Sequence, residues 1–263
     1  MVRRQHPESF SMAEVSAHRQ ARHYDRILSD YDRHYYDIQS TAYRERFIIG
    51  PLLDGLDLNG LAVADLACGS GSTSLSLRRR FPGAQLTGFD ISPKACETYT
   101  ARVGRPCHII DLTQPRPPEP RFDAAIIMGG LHHCVADLDA TLANVAGLLK
   151  PGAVFLMFEP NREYVLQFAR DLWYRIDGYF DAGNEDGLAH GDLLRRAGGA
   201  FTAERVRYFG GPAFFLVYNS LVFRLPPGVK RAVSPPLMAL EAGFNRLPGK
   251  RLFSSFTARW RRQ

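Results

Sequence analysis

Cysteine is scarce in this chain of 263 residues: Cys68, Cys96, Cys107 and Cys134 are the four, and no two stand as a C-x-x-C pair. That spacing argues against a disulfide framework and a structural zinc site, and points to a reducing, cytoplasmic setting. Long apolar runs are missing too. The uncharged stretch 208–223 includes Gly210, Gly211, Pro212 and Asn219, whereas a membrane-spanning helix needs about 20 mostly apolar residues. The N-terminus has paired arginines, Arg3 and Arg4, but no apolar region behind them, so it does not read as a secretory signal.

What is present is ordinary globular material, 45% hydrophobic and 23% charged, which excludes disordered and fibrous classes. The net charge of +6 is unevenly placed. Between Arg224 and Gln263 stand nine basic residues against one acid, Glu241. Such a segment suits an anionic surface or substrate.

Residues 1–50 are polar and rich in Arg, His and Tyr, without Pro or Gly between Glu8 and Ile49, which predicts one or two helices. After Gly50-Pro51 short apolar runs alternate with helical segments. Strands are expected at 61–67, 85–90, 106–111, 122–128 and 153–159, and helices at 73–80, 93–102 and 138–149. This alternation argues for an α/β fold, a mostly parallel sheet with helices on both faces. Further on, 163–179 reads as a helix, 183–191 as a loop, and 205–208 and 253–260 as late strands. They enclose an apolar, proline-punctuated insertion, 212–249.

The chemical signal starts at Asp65-Leu-Ala-Cys-Gly-Ser-Gly, where a strand feeds a Gly-x-Gly turn (Gly69, Gly71) and a helix follows. Glycines let a ligand approach the backbone, and the helix start offers unpaired N–H groups. A dinucleotide fingerprint would need a third glycine at 74, where this chain has Ser74. Asp65, four residues before Gly69, suits a ligand bearing an ammonium group better than a pyrophosphate. Its structural alternative is a turn-stabilising role. Asp90 ends the next strand, about 20 residues on, where a carboxylate can accept both hydroxyls of a ribose. Its alternative is a helix N-cap, a job Ser92 could do instead. Asp111 ends the third strand, placed for an adenine amine. Three successive strands thus end in an acid or a glycine loop at one sheet edge, where open α/β sheets bind ligands.

Those pieces, with Gly88-Phe-Asp-Ile-Ser, Asp111-Leu, Phe122-Asp-Ala-Ala-Ile-Ile and Leu148-Leu-Lys-Pro-Gly, resemble the class I S-adenosylmethionine-dependent methyltransferases in order and spacing across roughly residues 60–160. The resemblance implies a Rossmann-like seven-stranded sheet whose last strand is antiparallel. It also implies an N-terminal helical cap (1–50), and a methyltransferase domain (51–263) whose lid or insertion occupies about 161–250, partly between strands six and seven. It implies S-adenosylmethionine as cofactor, with Ala67, Cys68, Gly69 and Gly71 around the methionine part. Asp65 stands beside that loop, and Asp90 with Ile91 would take the ribose. Asp111 and Leu112 would flank the adenine, and Met128, Gly129 and His133 would lie near the sulfonium. Tyr24 and Tyr31 are candidate pocket walls.

Methyl transfer needs a base only if the nucleophile keeps its proton. His132 and His133, just past the fourth strand, are the base candidates, and Glu159, ending the fifth, can orient an imidazole or touch substrate. Either histidine could instead shape the cofactor pocket. No metal is demanded, and no His/Asp/Glu cluster has ligand spacing. Phe168, Trp173, Tyr174, Tyr179, Phe180, Phe214, Phe215 and Tyr218 supply aromatics to the lid region. If some line the pocket, a small apolar or aromatic acceptor is favoured.

The expected reaction is therefore O-methylation of a small, largely apolar molecule. C- or N-methylation stays open, as does a lipid-linked acceptor reached by peripheral membrane contact through the basic C-terminal segment. Packing between subunits of a homodimer is a further use of the insertion. An NAD-dependent oxidoreductase would use Asp90 equally well, but Ser74 and Asp65 argue against it. No nucleic-acid partner is expected, because no Asn-Pro-Pro-Tyr-type motif or RNA-binding module is present. A binding protein that keeps the cofactor site without turnover is the non-enzymatic alternative.

Overall fold

The computed structural model describes residues 37–176, 187–219 and 223–263. Seven strands, β1 (Ala62–Leu66), β2 (Gln85–Asp90), β3 (Cys107–Ile109), β4 (Phe122–Met128), β5 (Leu149–Pro160), β6 (Phe201–Phe209) and β7 (Ser255–Arg262), form one sheet in the order β3-β2-β1-β4-β5-β7-β6. The first five pair in parallel, while β7 runs antiparallel to both β5 and β6. Strand order reverses between β1 and β4, and the crevice at such a switch point is where ligands bind.

The central strands are apolar on both faces because helices cover both. Val63, Ala124, Ile126, Val154 and Leu156 pack with Leu52 and Leu53 of α2 (Gly50–Leu53) and Leu77 of α3 (Ser72–Arg80). Their neighbours one residue on, Ala64, Ala125, Ile127, Phe155 and Met157, pack with Leu142 and Val145 of α5 (Leu138–Leu148) and Leu193 of α7 (His190–Arg196). That is the period-two signature of a strand covered on each side. Between β2 and β3, α4 (Pro93–Val103) buries Tyr99 and Val103 against Cys68.

Sequence breakers mislead in three places. The first helix, α1 (Ile38–Arg44), does not end at Gly50-Pro51. It continues through a π turn (Glu45–Ile49) into α2. Pro51 has no N–H to donate, and a π turn just ahead of it is a place where a helix absorbs the irregularity. The stretch expected to be a loop up to Gly191 is already helical from His190. Nearly half of the insertion is an 18-residue helix, α8 (Pro227–Phe244), with Pro235 and Pro236 inside it. The carbonyls these prolines leave without donors belong to Arg231 and Ala232, both exposed, so water can take them up. The helix expected over 163–179 appears as α6 (Gln167–Ile176), and its last expected residues lie outside the described ones.

The α1 helix and the insertion form one cap. Tyr43 stacks on Phe214 and Tyr218 at centroid distances of 5.0 and 4.8 Å. Asp37, the N-cap of α1, also accepts a bond from the buried Lys230 Nζ at 2.5 Å. Much of the basic C-terminal segment is likewise occupied inside the fold. Arg259 donates to the carbonyls of Leu52 and Asp54, Arg261 pairs with Glu204, Arg262 donates to the carbonyls of Ala146 and Ala200, and Lys250 pairs with Glu163. Among the described residues no helix is long and apolar enough to cross a membrane.

Gly88 in β2 lies under the Tyr99 ring, and a Cβ there would meet three ring carbons at 2.8–2.9 Å. Overpacking of this kind costs about 1–3 kcal/mol. Gly88→Ala is therefore expected to lower unfolding stability by that amount in a urea titration, and an unchanged midpoint would show that the ring is free to move aside.

Candidate active site

The loop after β1 is built from backbone that most residues avoid. Gly69 and Gly71 have φ of 51° and 84°, and Ala67, with φ 48°, is the one described non-glycine residue in the left-handed region. Strain of this kind is kept where surrounding structure insists on it. At Gly71 a Cβ would meet Val103 Cγ2 at 2.4 Å, so only glycine lets the loop sit on α4, whereas at Gly69 nothing stands within 4 Å.

Asp65 sits beneath the loop, 1% exposed. Its Oδ2 accepts from Ser74 Oγ at 2.7 Å, and Ser74 Oγ lies 2.8 Å from the Tyr99 hydroxyl. Burial pushes the Asp65 carboxyl up to about 7, against the pull of its Ser74 hydrogen bonds. The serine in the place of a third glycine is thus a working part, bridging strand, helix and tyrosine.

Ser92, not Asp90, caps α4, with its Oγ accepting from Ala95 N at 3.0 Å. Asp90 instead accepts from Gly69 N at 2.8 Å and from Ser92 N at 2.9 Å, which ties the glycine loop to the end of β2. Asp111 accepts from Thr113 N and Thr113 Oγ1, and the carbonyl of buried Leu112 accepts from Asn144. Ile91 follows Asp90 at the same edge and is half-buried.

The turn after β4 is anchored from β5. Gly129, φ 76°, donates its N–H to the Phe158 carbonyl at 2.7 Å. Glu159, fully buried, accepts from Gly130 N at 3.1 Å and Leu131 N at 2.8 Å through Oε1, and from His132 N at 3.3 Å through Oε2. The same Oε2 lies 2.8 Å from His132 Nδ1. Burial pushes Glu159 up to about 8, although the three N–H groups pull it back. Burial, aided by the nearby Arg170 guanidinium, drives His132 down to about 3. At neutral pH the pair therefore shares one proton between Oε2 and Nδ1. His133 packs against His132 with its ring tilted, centroids 3.9 Å apart. A Cβ on Gly129 would lie 3.7 Å from His132 Cε1 and 3.6 Å from Phe158 Cε1, so the imidazole and the phenyl ring flank that turn. Met128 is half-buried beside them.

Residues 64–155 match the family described as a methyltransferase domain. An uncharacterized methyltransferase of Synechocystis is 30% identical over 172 residues, covering 64% of this chain and 79% of that protein. The chain belongs to the class I S-adenosylmethionine-dependent methyltransferases. A ubiquinone biosynthesis O-methyltransferase of Xanthomonas euvesicatoria is 34% identical, but over 41% of this chain and 46% of that one. A solved Thermotoga maritima structure, described as an S-adenosylmethionine-dependent methyltransferase and possible histamine N-methyltransferase, shares the fold at a TM-score of 0.61 and 15% identity. It covers 92% of this chain and 99% of that one.

S-adenosylmethionine is therefore the cofactor of this methyltransferase, and the edge of its sheet fits one. The loop at Gly69 is open to close approach, and a carboxylate, Asp90, stands beside it. Among the described residues no group of His, Cys, Asp and Glu has an arrangement to hold a metal ion. Tyr24 and Tyr31 lie outside the described residues, as do Tyr179 and Phe180 and the side chains of Trp173 and Tyr174. Of the remaining aromatics, Phe214 and Tyr218 are buried in the cap core and Phe168 is 70% exposed. Phe215 packs near Tyr164.

Three features escaped the sequence reading of this methyltransferase. Arg44 of α1 is buried with its guanidinium 5.6 Å from the Phe158 ring centroid. A cleft between α1 and α3, lined by Arg44, Glu45, Ser72, Thr73, Arg79 and Arg102, opens beside the glycine loop. Cys68, Cys96 and Cys107 converge under Asp90. An N-terminal arginine without a motif and cysteines 28 and 11 residues apart carry no local signal.

Ser74→Ala would leave two buried partners, Asp65 and Tyr99, short of a hydrogen bond. Leaving such groups unsatisfied costs about 1–3 kcal/mol. The expected result is a loss of that size in unfolding free energy, and full retention would mean that water replaces the hydroxyl.

Proposed function

We propose that this methyltransferase methylates a hydroxyl oxygen on a small, largely apolar molecule, with His132 accepting the hydroxyl proton and Glu159 orienting His132. The observation that carries this reading is the buried 2.8 Å contact between His132 Nδ1 and Glu159 Oε2 at the edge formed by β4 and β5. Bound S-adenosylmethionine supplies a methyl group on a sulfonium, open to in-line displacement. A hydroxyl keeps its proton at neutral pH, so transfer to oxygen needs a group to remove it. Once the dyad loses the proton on Nε2, the shared proton stays on Nδ1 and donates to the carboxylate, and Nε2 is left with a lone pair. Removal of the hydroxyl proton by Nε2 makes the ring an imidazolium, which the adjacent carboxylate stabilises.

The remaining assignments follow the sheet edge. Ala67, Cys68, Gly69 and Gly71 hold the methionine part, with Asp65 fixing the loop through Ser74. Asp90 and Ile91 hold the ribose, and Asp111 and Leu112 flank the adenine. Met128, Gly129 and His133 lie near the sulfonium. Holding reactants in line supplies about 7–11 kcal/mol in well-oriented systems. Phe158 and Met128 beside His132 support an apolar acceptor. The ubiquinone biosynthesis O-methyltransferases among the relatives support oxygen as the acceptor atom.

Two measurements test this. Asp90→Ala is expected to weaken cofactor binding by about tenfold or more in calorimetry, the loss of charge-assisted bonds worth about 1.5–3 kcal/mol each, and retained affinity would sink the ribose assignment. His132→Ala is expected to lower kcat by about 10²–10⁴ with cofactor affinity intact. In the unsubstituted enzyme, the base form of the dyad appears as pH rises toward about 8. Its kcat/KM for the acceptor should climb with pH and level off there, the positive sulfonium favouring the deprotonated dyad. A flat profile from about pH 6 to about pH 9 would overturn the role of the dyad.

A further inference from the structure

Three of the four thiols, on three different elements, meet beneath the site. Cys107 Sγ on β3 lies 2.9 Å from Cys96 Sγ on α4 and 3.5 Å from Cys68 Sγ in the glycine loop. All are free thiols. Cys68 and Cys96 are buried, and Cys107 is half-buried. Their surroundings converge on one backbone stretch. Cys96 Sγ is 3.9 Å from the Asp90 carbonyl, Cys68 N–H donates to the Phe89 carbonyl, and Cys107 pairs across from Gly88. Gly69, next to Cys68, is the residue whose N–H the Asp90 carboxylate accepts.

We propose that Cys96 and Cys107 are a dithiol modification site for small disulfide oxidants, and that closing it weakens cofactor binding. The inference rests on the reading of Asp90 as the ribose carboxylate. Cys107 is the accessible member. Its thiolate attacks one sulfur of a low-molecular-weight disulfide, forming a mixed disulfide and releasing one thiolate, which takes up the proton. The Cys96 thiolate then attacks the Cys107 sulfur, and the second small thiolate leaves and is protonated. Two protein thiols are oxidised and one external disulfide is reduced to two thiols. A disulfide needs its sulfurs about 2.05 Å apart, with a dihedral near ±90°. Closure therefore draws α4 and β3 together, and α4 begins three residues after Asp90. The carboxylate and the loop tied to it move with that helix start.

Contacts among the thiols together with burial hold Cys96 and Cys107 protonated at neutral pH, so the site is best examined at equilibrium rather than by rate. The experiment equilibrates the full chain in oxidised and reduced glutathione buffers, maps cross-links by mass spectrometry of unreduced peptides, and titrates each sample with S-adenosylmethionine. A Cys96–Cys107 link is expected in the oxidised sample. Its dissociation constant should rise by about fivefold or more, the lower end of ordinary coupling between sites, and dithiothreitol should reverse it. Cys107→Ser should bind like the reduced protein and ignore the buffer, and Cys96→Ala serves if that variant fails to fold. No link, or a Cys68–Cys107 link in its place, overturns the site. A linked protein with unchanged affinity overturns the coupling if Asp90→Ala still loses binding. If Asp90→Ala also binds normally, the ribose assignment is what failed.

Discussion

A carboxylate closed off from solvent has to be surrounded by donors, and at Glu159 those donors are the amides of the turn after β4. Moving a lone carboxylate into an apolar interior is costly, and only a full set of hydrogen bonds makes it tolerable. Satisfying Glu159 therefore dictates the path of residues 130–132. That path sets the imidazole of His132 against Oε2 and leaves Gly129 folded back on the Phe158 carbonyl. Gly130 has to be glycine for the same reason, because a Cβ there would lie 2.7 Å from Ala67 Cβ. The dyad and the two loops at the sheet edge are consequently one packed unit.

The cap obeys a similar rule with different partners. Glu241, fully buried in α8, accepts from the Tyr43 hydroxyl at 2.8 Å, from Gly211 N at 2.5 Å and from Phe214 N at 3.3 Å. Lys230, about three turns earlier on the same face of α8, reaches Asp37 and Ser40 at the start of α1. Two polar anchors thus bolt the insertion onto α1, with the Tyr43–Phe214–Tyr218 stack between them. Breaking either anchor from one side would strand a buried charge, which is worse than never having placed it. The cap is accordingly a specified structure and not a loose cover.

Most of the sheet was legible because its signals are local. β2 and β4 were bounded correctly from apolar runs ending in Asp or Gly, and the acids at 65, 90 and 111 marked one edge before any topology was known. What stayed hidden depends on contacts far apart in sequence. Proline read as punctuation concealed α8, because tolerance of Pro235 and Pro236 depends on which carbonyls face water. Glu159 could be named, but its pairing with His132 is set by a turn whose shape comes from the carboxylate itself. Ser74 was informative only as a missing glycine, since its partner Tyr99 is 25 residues away. The thiol cluster was invisible for the same reason, with its members on a loop, a helix and a strand.

The region shared with the matched family, 64–155, runs from β1 into β5 and ends just before Phe158 and Glu159. Parts of what flanks it, Phe209 of β6, Phe214 of the insertion and Arg44 of α1, pack around Phe158, whose ring lies 5.8 Å from Phe209 and 6.3 Å from Phe214. Phe158 therefore belongs to two structures at once, the floor beside His132 and the core of the cap. A change in cap packing therefore reaches the turn that carries His132 through that ring, and the glycine loop, held by Asp65, Ser74 and Tyr99, meets the same turn where Gly130 packs on Ala67.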